Sequence, residues 1–334
     1  MQDTKRFYTI KDIAKMAGVS HMTVSRVING SGNVKKQTHD RIKKICDEIG
    51  YMPNAAAEML RKSSSRMIGI VVPNISSSFS HGLAENLERL AYKNGFETWI
   101  SSSFYDNENE DRIINRFMQN RVGGIIAVGA NQHSIETLGA YKNRTPFVFV
   151  GENVPLEGTS WVRVDRLKEG RTAVDYLKGM GHKKIALVGS RTMSTSHRLR
   201  REAFREVMDE YGLEATVFGI SNESDGYAIG KDFFSLDPDV TAVIAINSKF
   251  AIDFMRAGSE AGKNPPDDYS LISFFESKYA AIPQISLTTV SQSIEETSLE
   301  AFSSLLQLME DPDAEPIQKY VDVQLHERKT CKHV

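Results

Sequence analysis

The sequence predicts a small all-α head built on a helix-turn-helix, followed by an α/β body of two doubly wound parallel-sheet lobes. Three observations carry this. Residues 10–49 hold short apolar stripes at helical spacing, and from Met67 onward near-continuous apolar runs alternate with helical stretches. Charge divides in the same place: residues 1–66 carry 13 Lys and Arg against 6 Asp and Glu, net +7, and the remainder carries 28 against 37, net −9, within an overall −2. A basic head on an acidic body directs the head toward a polyanion.

In the head, Ile10, Ile13, Ala14 and Ala17 fall at i, i+3, i+4 and i+7, one stripe of a short helix. Thr9 is placed to cap it, with Asp12 three residues on. Gly18 breaks the helix, and Ser20 caps a second one whose inner face is Val24, Val27 and Ile28. A third stripe, Ile42, Ile45, Cys46 and Ile49, ends at Gly50. Three helices sharing one core are expected over 1–52. Residues 53–66 read as a hinge: Pro53 and Asn54 precede good helix formers too few to stand alone, and Ser63, Ser64 and Ser65 form a flexible join.

The body, 67–334, shows apolar runs at 68–72, 125–128, 147–150, 185–188, 242–246 and 271–274, as expected of strands buried on both faces. Two successive βα series would give two lobes with a ligand crevice at the carboxyl ends of their strands. Hydrophobic residues at 40% and charged residues at 25% are ordinary for a globular chain. No apolar run reaches membrane-spanning length, and Met1 to Arg6 lacks the apolar stretch of a signal peptide, so a cytoplasmic protein is expected. Cys46 and Cys331 are the only cysteines, with no zinc or disulfide spacing.

If the second helix buries Val24, Val27 and Ile28, its opposite face carries Met22, Ser25, Arg26 and Asn29, with His21 at its exposed start. A recognition helix looks like this, its first residues at base edges and an arginine able to donate two hydrogen bonds to guanine. A solvated helix face shows the same spacing, so periodicity leaves both readings open.

The run from Thr9 to Ala14, then Ala17-Gly18-Val19-Ser20, then Thr23 to Asn29 resembles the helix-turn-helix of the lactose-repressor (LacI/GalR) family. Gly50 to Asn54 and the following alanines resemble its hinge, and Ile68 to Pro73, Gly181 to Ala186 and Leu287 to Val290 extend the resemblance over nearly the whole chain. It implies a ligand-responsive, sequence-specific transcriptional regulator, expected to repress a carbohydrate or related operon, dimeric on a near-palindromic double-stranded operator. It implies DNA contacts from Thr9, Ser20, His21, Met22, Thr23, Ser25, Arg26, Asn29, Thr38, Asn54, Ala57 and Leu60. Leu60 corresponds to a wedge between central base pairs, or else packs on the body. Glu58 departs from the basic or neutral residue frequent at its position.

For the body the resemblance implies a fold like periplasmic sugar-binding proteins and an effector site of Asn74, Phe79, Arg200, Asn247, Phe275 and Glu276. Arg200 corresponds to a ligand-clamping arginine, with a surface salt bridge as the alternative; Asn247 could instead cap a helix and Phe79 fill a core. Asn74, Ser248 and Phe275 stand where acids are frequent, which favours an anionic sugar derivative clamped by Arg200. Arg198 and Arg201 flank it, and Glu152 and Glu276 count against that reading. His182 is assigned no chemistry. No dinucleotide fold signature, P-loop, nucleophile elbow or H-E-x-x-H is present, so an enzyme is not expected, and no cofactor or metal is implied. The rival readings are a solute-binding protein and a regulator acting without ligand. After Leu325 there are no heptads to build a tetramerising coiled coil, so a homodimer is expected.

Overall fold

In the computed structural model, residues 8–28, 30–51, 65–130, 132–141, 144–151, 158–189, 195–219 and 226–334 are described. The chain divides into one unit spanning Met1–Ser65 and another spanning Arg66–Val334. The smaller unit contains α1 (Ile10–Ala17), α2 (His21–Ile28) and α3 (Lys36–Ile49). Ile13, Ala14, Ala17, Val24 and Ile42 are buried together, and Val27, Ile28, Ile45, Cys46 and Ile49 pack around them. The stripes read from spacing are the ones that meet. Gly18 and Gly50 end α1 and α3 at φ 63° and 60°, a left-handed geometry that costs other residues about 1–2 kcal/mol.

The larger unit begins with lobe 1: β1 (Met67–Val72), α4 (Ser78–Lys93), β2 (Glu97–Ser102), α5 (Asn107–Gln119), β3 (Gly124–Val128), α6 (Gln132–Ala140), β4 (Phe147–Val150) and β5 (Ser160–Val164). The chain then crosses to lobe 2 for α7 (Arg166–Gly179), β6 (Ile185–Val188), α8 (Thr195–Glu210), β7 (Thr216–Phe218), α9 (Gly226–Leu236), β8 (Ala242–Ala245), α10 (Ser248–Glu260), β9 (Ser270–Phe274) and β10 (Thr288–Gln292). It returns to lobe 1 for α11 (Ile294–Glu310) and β11 (Gln318–Val321), and crosses once more for β12 (Val323–His326).

The sheets run β2-β1-β3-β4-β5-β11 and β7-β6-β8-β9-β10-β12. Every pairing is parallel except β10 with β12. Side-chain alternation separates the two faces of lobe 1. Ile68, Ile70, Val72, Ile126 and Val128 meet Leu83 and Leu87 of α4 and Ala301, Phe302 and Leu305 of α11. Val71, Ile125, Ala127, Phe147 and Phe149 meet Ile113, Ile114 and Phe117 of α5. Lobe 2 closes over one core that includes Ala173, Val174 and Leu177 of α7.

The six apolar runs are β1, β3, β4, β6, β8 and β9. One expectation is corrected: the lobes are not two successive series, because α11 and β11 follow ten strands yet complete lobe 1. Sequence periodicity is local and holds no record of which sheet a helix covers. The strands without an apolar run have a different cause. The edge strand β2 is only partly buried, while β10 is fully buried but reads Thr-Thr-Val-Ser-Gln, with partners such as the Thr330 hydroxyl accepting from Thr288 N–H (2.9 Å), although Gln292 Oε1 has no partner among the described residues. Among the described residues no helix is long and apolar enough to cross a membrane.

Both tryptophans, Trp99 and Trp161, lie in lobe 1, so their fluorescence reports its unfolding. Leu305→Ala empties part of the contact between α11 and the sheet, and tryptophan-monitored urea unfolding should show a loss of about 2–5 kcal/mol. An unchanged midpoint would mean that α11 contributes nothing to lobe 1.

Candidate functional site

The head presents its side chains through α2. Thr9 and Asp12 form a reciprocal cap on α1: Thr9 N–H and hydroxyl both donate to the Asp12 carboxylate (2.8 and 2.7 Å), and Asp12 N–H donates to the Thr9 hydroxyl (3.3 Å). Ser20 caps α2 by accepting from Thr23 N–H (3.2 Å), and its hydroxyl meets that of Thr23 at 3.0 Å. Three of the hydroxyls expected to touch DNA are therefore engaged in fixing helix starts. Ser25 is half-buried, as is Thr38 in the first turn of α3. The long side chains of His21, Met22 and Arg26 remain exposed. Asn29, Asn54, Ala57 and Leu60, with Glu58, lie outside the described residues.

In the larger unit the carboxyl ends of β1 and of β8 and β9 carry five of the six expected effector residues, and Arg200 lies in α8, after β6. Asn74 follows β1, its side-chain oxygen accepting from Ser76 N–H (2.8 Å) in a tight turn. Phe79 opens α4, packs against the core of lobe 1, and meets Phe275 of lobe 2 edge to face, ring centroids 5.7 Å apart. Phe275 holds a left-handed φ of 76°, a conformation stabilised by its N–H donating to Val290 carbonyl (2.9 Å) and by the Ser248 hydroxyl donating to its own carbonyl. Asn247 caps α10, accepting from Phe250 N–H at 2.8 Å. Glu276 is paired within lobe 2: Arg328 donates to it at 2.7 and 3.1 Å, and the Thr289 hydroxyl donates to it as well.

Arg200 differs from the expectation that its fork is open to ligand. It is 6% exposed, which excludes a surface salt bridge, and its Nε and Nη2 donate to the two oxygens of Glu169 at 2.9 and 3.0 Å. A third donation runs from Nη1 to the Ile246 carbonyl (3.1 Å), and the guanidinium stands 5.2 Å from the centre of the Phe274 ring. Arg166 Nη1 also donates to Glu169, at 2.6 Å. Burial pushes the Glu169 carboxyl up, but the guanidinium groups of Arg166 and Arg200 outweigh it and hold the carboxyl below its ordinary range. Burial likewise pulls Arg166 down to about 10, against the opposing pull of Glu169. His197 of α8 is 8% exposed, its Nδ1 has no partner among the described residues, and burial followed by the charges of Arg200, Arg201 and Arg166 lowers it to about 3.

Arg166, Glu169 and His197 were not legible as site residues. Arg166 and Glu169 stand at i and i+3 after the capping Asp165, a spacing that any exposed helix offers. Only burial beneath Arg200 distinguishes them. His182, given no chemistry from sequence, ties structure together: its ring meets the hydroxyls of Thr241 (2.9 Å) and Ser270 (2.8 Å) and the Lys332 carbonyl (3.0 Å).

Residues 9–54 match the model described as bacterial regulatory proteins, lacI family, and residues 174–331 match a periplasmic binding protein-like domain. The HTH-type transcriptional regulator DegA of Bacillus subtilis (strain 168) is 33% identical over 302 residues, 87% of this chain and 88% of that protein. The crystal structure of the lac repressor dimer bound to operator and an anti-inducer superposes with a TM-score of 0.84 at 23% identity, covering 98% of this chain and all of that one. A LacI family transcriptional regulator from Enterococcus faecium with bound ribose gives a TM-score of 0.68 at 26% identity over 80% of this chain and 99% of that one.

The depressed His197 makes a pH prediction. Between its ordinary value of about 6.5 and its folded value of about 3, the unfolded chain takes up a proton that the folded chain refuses. Stability therefore falls as pH falls through this window, by at most about 1.4 kcal/mol per pH unit from this group. In urea unfolding followed by circular dichroism, His197→Gln should show a shallower decline than wild type between pH 6.5 and 4; parallel curves would mean that His197 titrates normally.

Proposed function

The chain belongs to the lacI family of bacterial regulatory proteins and is a DNA-binding transcriptional regulator; we propose that it acts in the cytoplasm as a homodimeric repressor on a near-palindromic operator, controlled by a small ligand. The observation that supports this reading most strongly is the division of labour in the head. The hydroxyls of Thr9, Ser20 and Thr23 set the helix starts, while His21, Met22 and Arg26 stay exposed, Met22 and Arg26 one helical turn apart on the same face of α2. A face held rigidly and tipped with an arginine suits the edge of guanine in the major groove. Ser25, Asn29, Thr38 and Asn54 are proposed contacts to backbone or bases, with residues 53–66 the hinge that places Ala57 and the Leu60 wedge in the minor groove. The relatives are regulators rather than enzymes, and we take this chain to be no enzyme either.

The proposed effector is a small sugar derivative bearing negative charge, held between the lobes near Phe79 and Phe275 with Asn74, Asn247 and Glu276 at its rim. The relative from Enterococcus faecium, which holds ribose, supports the sugar. Arg200 supports the charge: of its five N–H groups, three are used among the described residues, and two remain for a ligand oxygen. Asn74, Ser248 and Phe275 add no acid there.

Arg26→Ala should lose about 1–3 kcal/mol of discrimination at one base pair per half-site while random-sequence DNA is bound as before, measured by competition gel shift. Equal loss on operator and random DNA would remove the base-reading role. For the effector, calorimetric titration of a neutral sugar, its uronic acid and its phosphate should give tighter binding of the charged forms; tight binding of the neutral sugar with the others silent would reverse the assignment.

A further inference from the structure

Among the exposed long side chains on α2, Met22 is the apolar one. It is 56% exposed, one helical turn before Arg26, and its sulfur lies 4.0 Å from Arg26 Nη2. Gly32, at φ 87°, also approaches the arginine: an added β-carbon there would stand 3.4 Å from Arg26 Cδ. The arginine thus meets a thioether at its head and a bare backbone turn along its stem, and the two exposed side chains present one composite edge, a guanidinium beside a thioether. His21, at the start of the same helix, is polar and lies one residue before Met22, about 100° round the helix.

The chemistry of the major groove decides what such an edge reads. Guanine, cytosine and adenine display hydrogen-bond donors and acceptors there, and in unmodified DNA the apolar group is the C5-methyl of thymine. A thioether forms no useful hydrogen bond with the polar edges and gains by covering a methyl group. Four residues of helix span about 6 Å, close to two base-pair steps of about 3.4 Å. We infer that Met22 is a specificity-determining residue that reads a thymine methyl group within about two base pairs of the guanine read by Arg26. The inference rests on the operator reading above and adds the identity of a base to it.

The test starts with selection of binding sequences from a random duplex pool by the full-length protein. Enriched half-sites should carry a thymine beside the guanine whose discrimination Arg26→Ala abolishes. Each thymine of the selected duplex is then replaced in turn by deoxyuridine, which removes the methyl group and leaves every hydrogen-bonding group in place. One symmetric pair should weaken binding by about fourfold per half-site, the equivalent of one buried methyl at about 0.8 kcal/mol. Met22→Ala should bind both duplexes equally, Met22→Leu should keep the preference, and Met22→Gln should move it toward adenine. Met22 is exposed, so these variants leave the head core untouched. If no thymine shows methyl sensitivity, or if Met22→Ala retains it, the inference is overturned while the operator reading stands. A pool that yields no enriched sequence would instead overturn the operator reading, and this one with it.

Discussion

The body is governed by one topological constraint: its chain passes between the lobes three times, so neither lobe is a contiguous stretch of sequence. Lobe 1 obtains α11 and β11 only after lobe 2 has been laid down to β10, and lobe 2 obtains β12 only after lobe 1 is closed. The crossing points are held by local devices. Asp165 caps α7 by accepting from Leu167 and Lys168 N–H, Ser293 caps α11 by accepting from Glu296 N–H, and Lys168 Nζ donates to Asp322 at 2.6 Å, linking the first crossing to the third. That exposed ion pair is worth little energetically. Its consequence is geometric, because two crossings are kept together where the lobes meet.

Next to the first crossing lies the buried cluster of Arg166, Glu169 and Arg200. Removing water from three charges is expensive, and good geometry recovers the loss only while every partner is present; deleting one member of such a cluster costs about 3–5 kcal/mol. The cluster joins α7 to α8 and, through the Ile246 carbonyl, to the end of β8. Three elements of lobe 2 are thus tied at the end of its sheet that faces lobe 1 through Phe275 and Phe79. A ligand binding at Arg200, as proposed, would meet a guanidinium already oriented, which lowers the entropy lost on binding.

The head works on different physics. Its helices are short, and isolated helices of this length are marginal in water, so their order comes from caps and from the shared core around Ile13, Val24 and Ile42. The side chains that cap are small and polar, and those left to solvent are long. Fixing the helix starts and presenting an exposed surface on α2 thereby fall to different residues.

How much of this was legible follows from the range of each interaction. The head was legible almost residue by residue: caps such as Thr9 with Asp12 and Ser20 with Thr23 act over three residues, and Gly50 ends α3 within one turn. The fully buried parallel strands were legible because burial on both faces leaves an apolar run, and the family was legible because its motifs are contiguous. Arg200, Phe79 and Phe275 could be named as residues of interest, but their partners could not. Glu169 lies 31 residues from Arg200, and Phe275 lies 196 residues from Phe79 in sequence. Whether a charged side chain is solvated or buried against its opposite, and which sheet a helix finally covers, are settled only when distant segments meet. The sequence by itself determined the local elements and the kind of protein; the tertiary structure decided that α11 belongs to lobe 1 and that one edge of the Arg200 guanidinium is already taken by Glu169, because both depend on contacts whose cost and gain exist only in the folded interior.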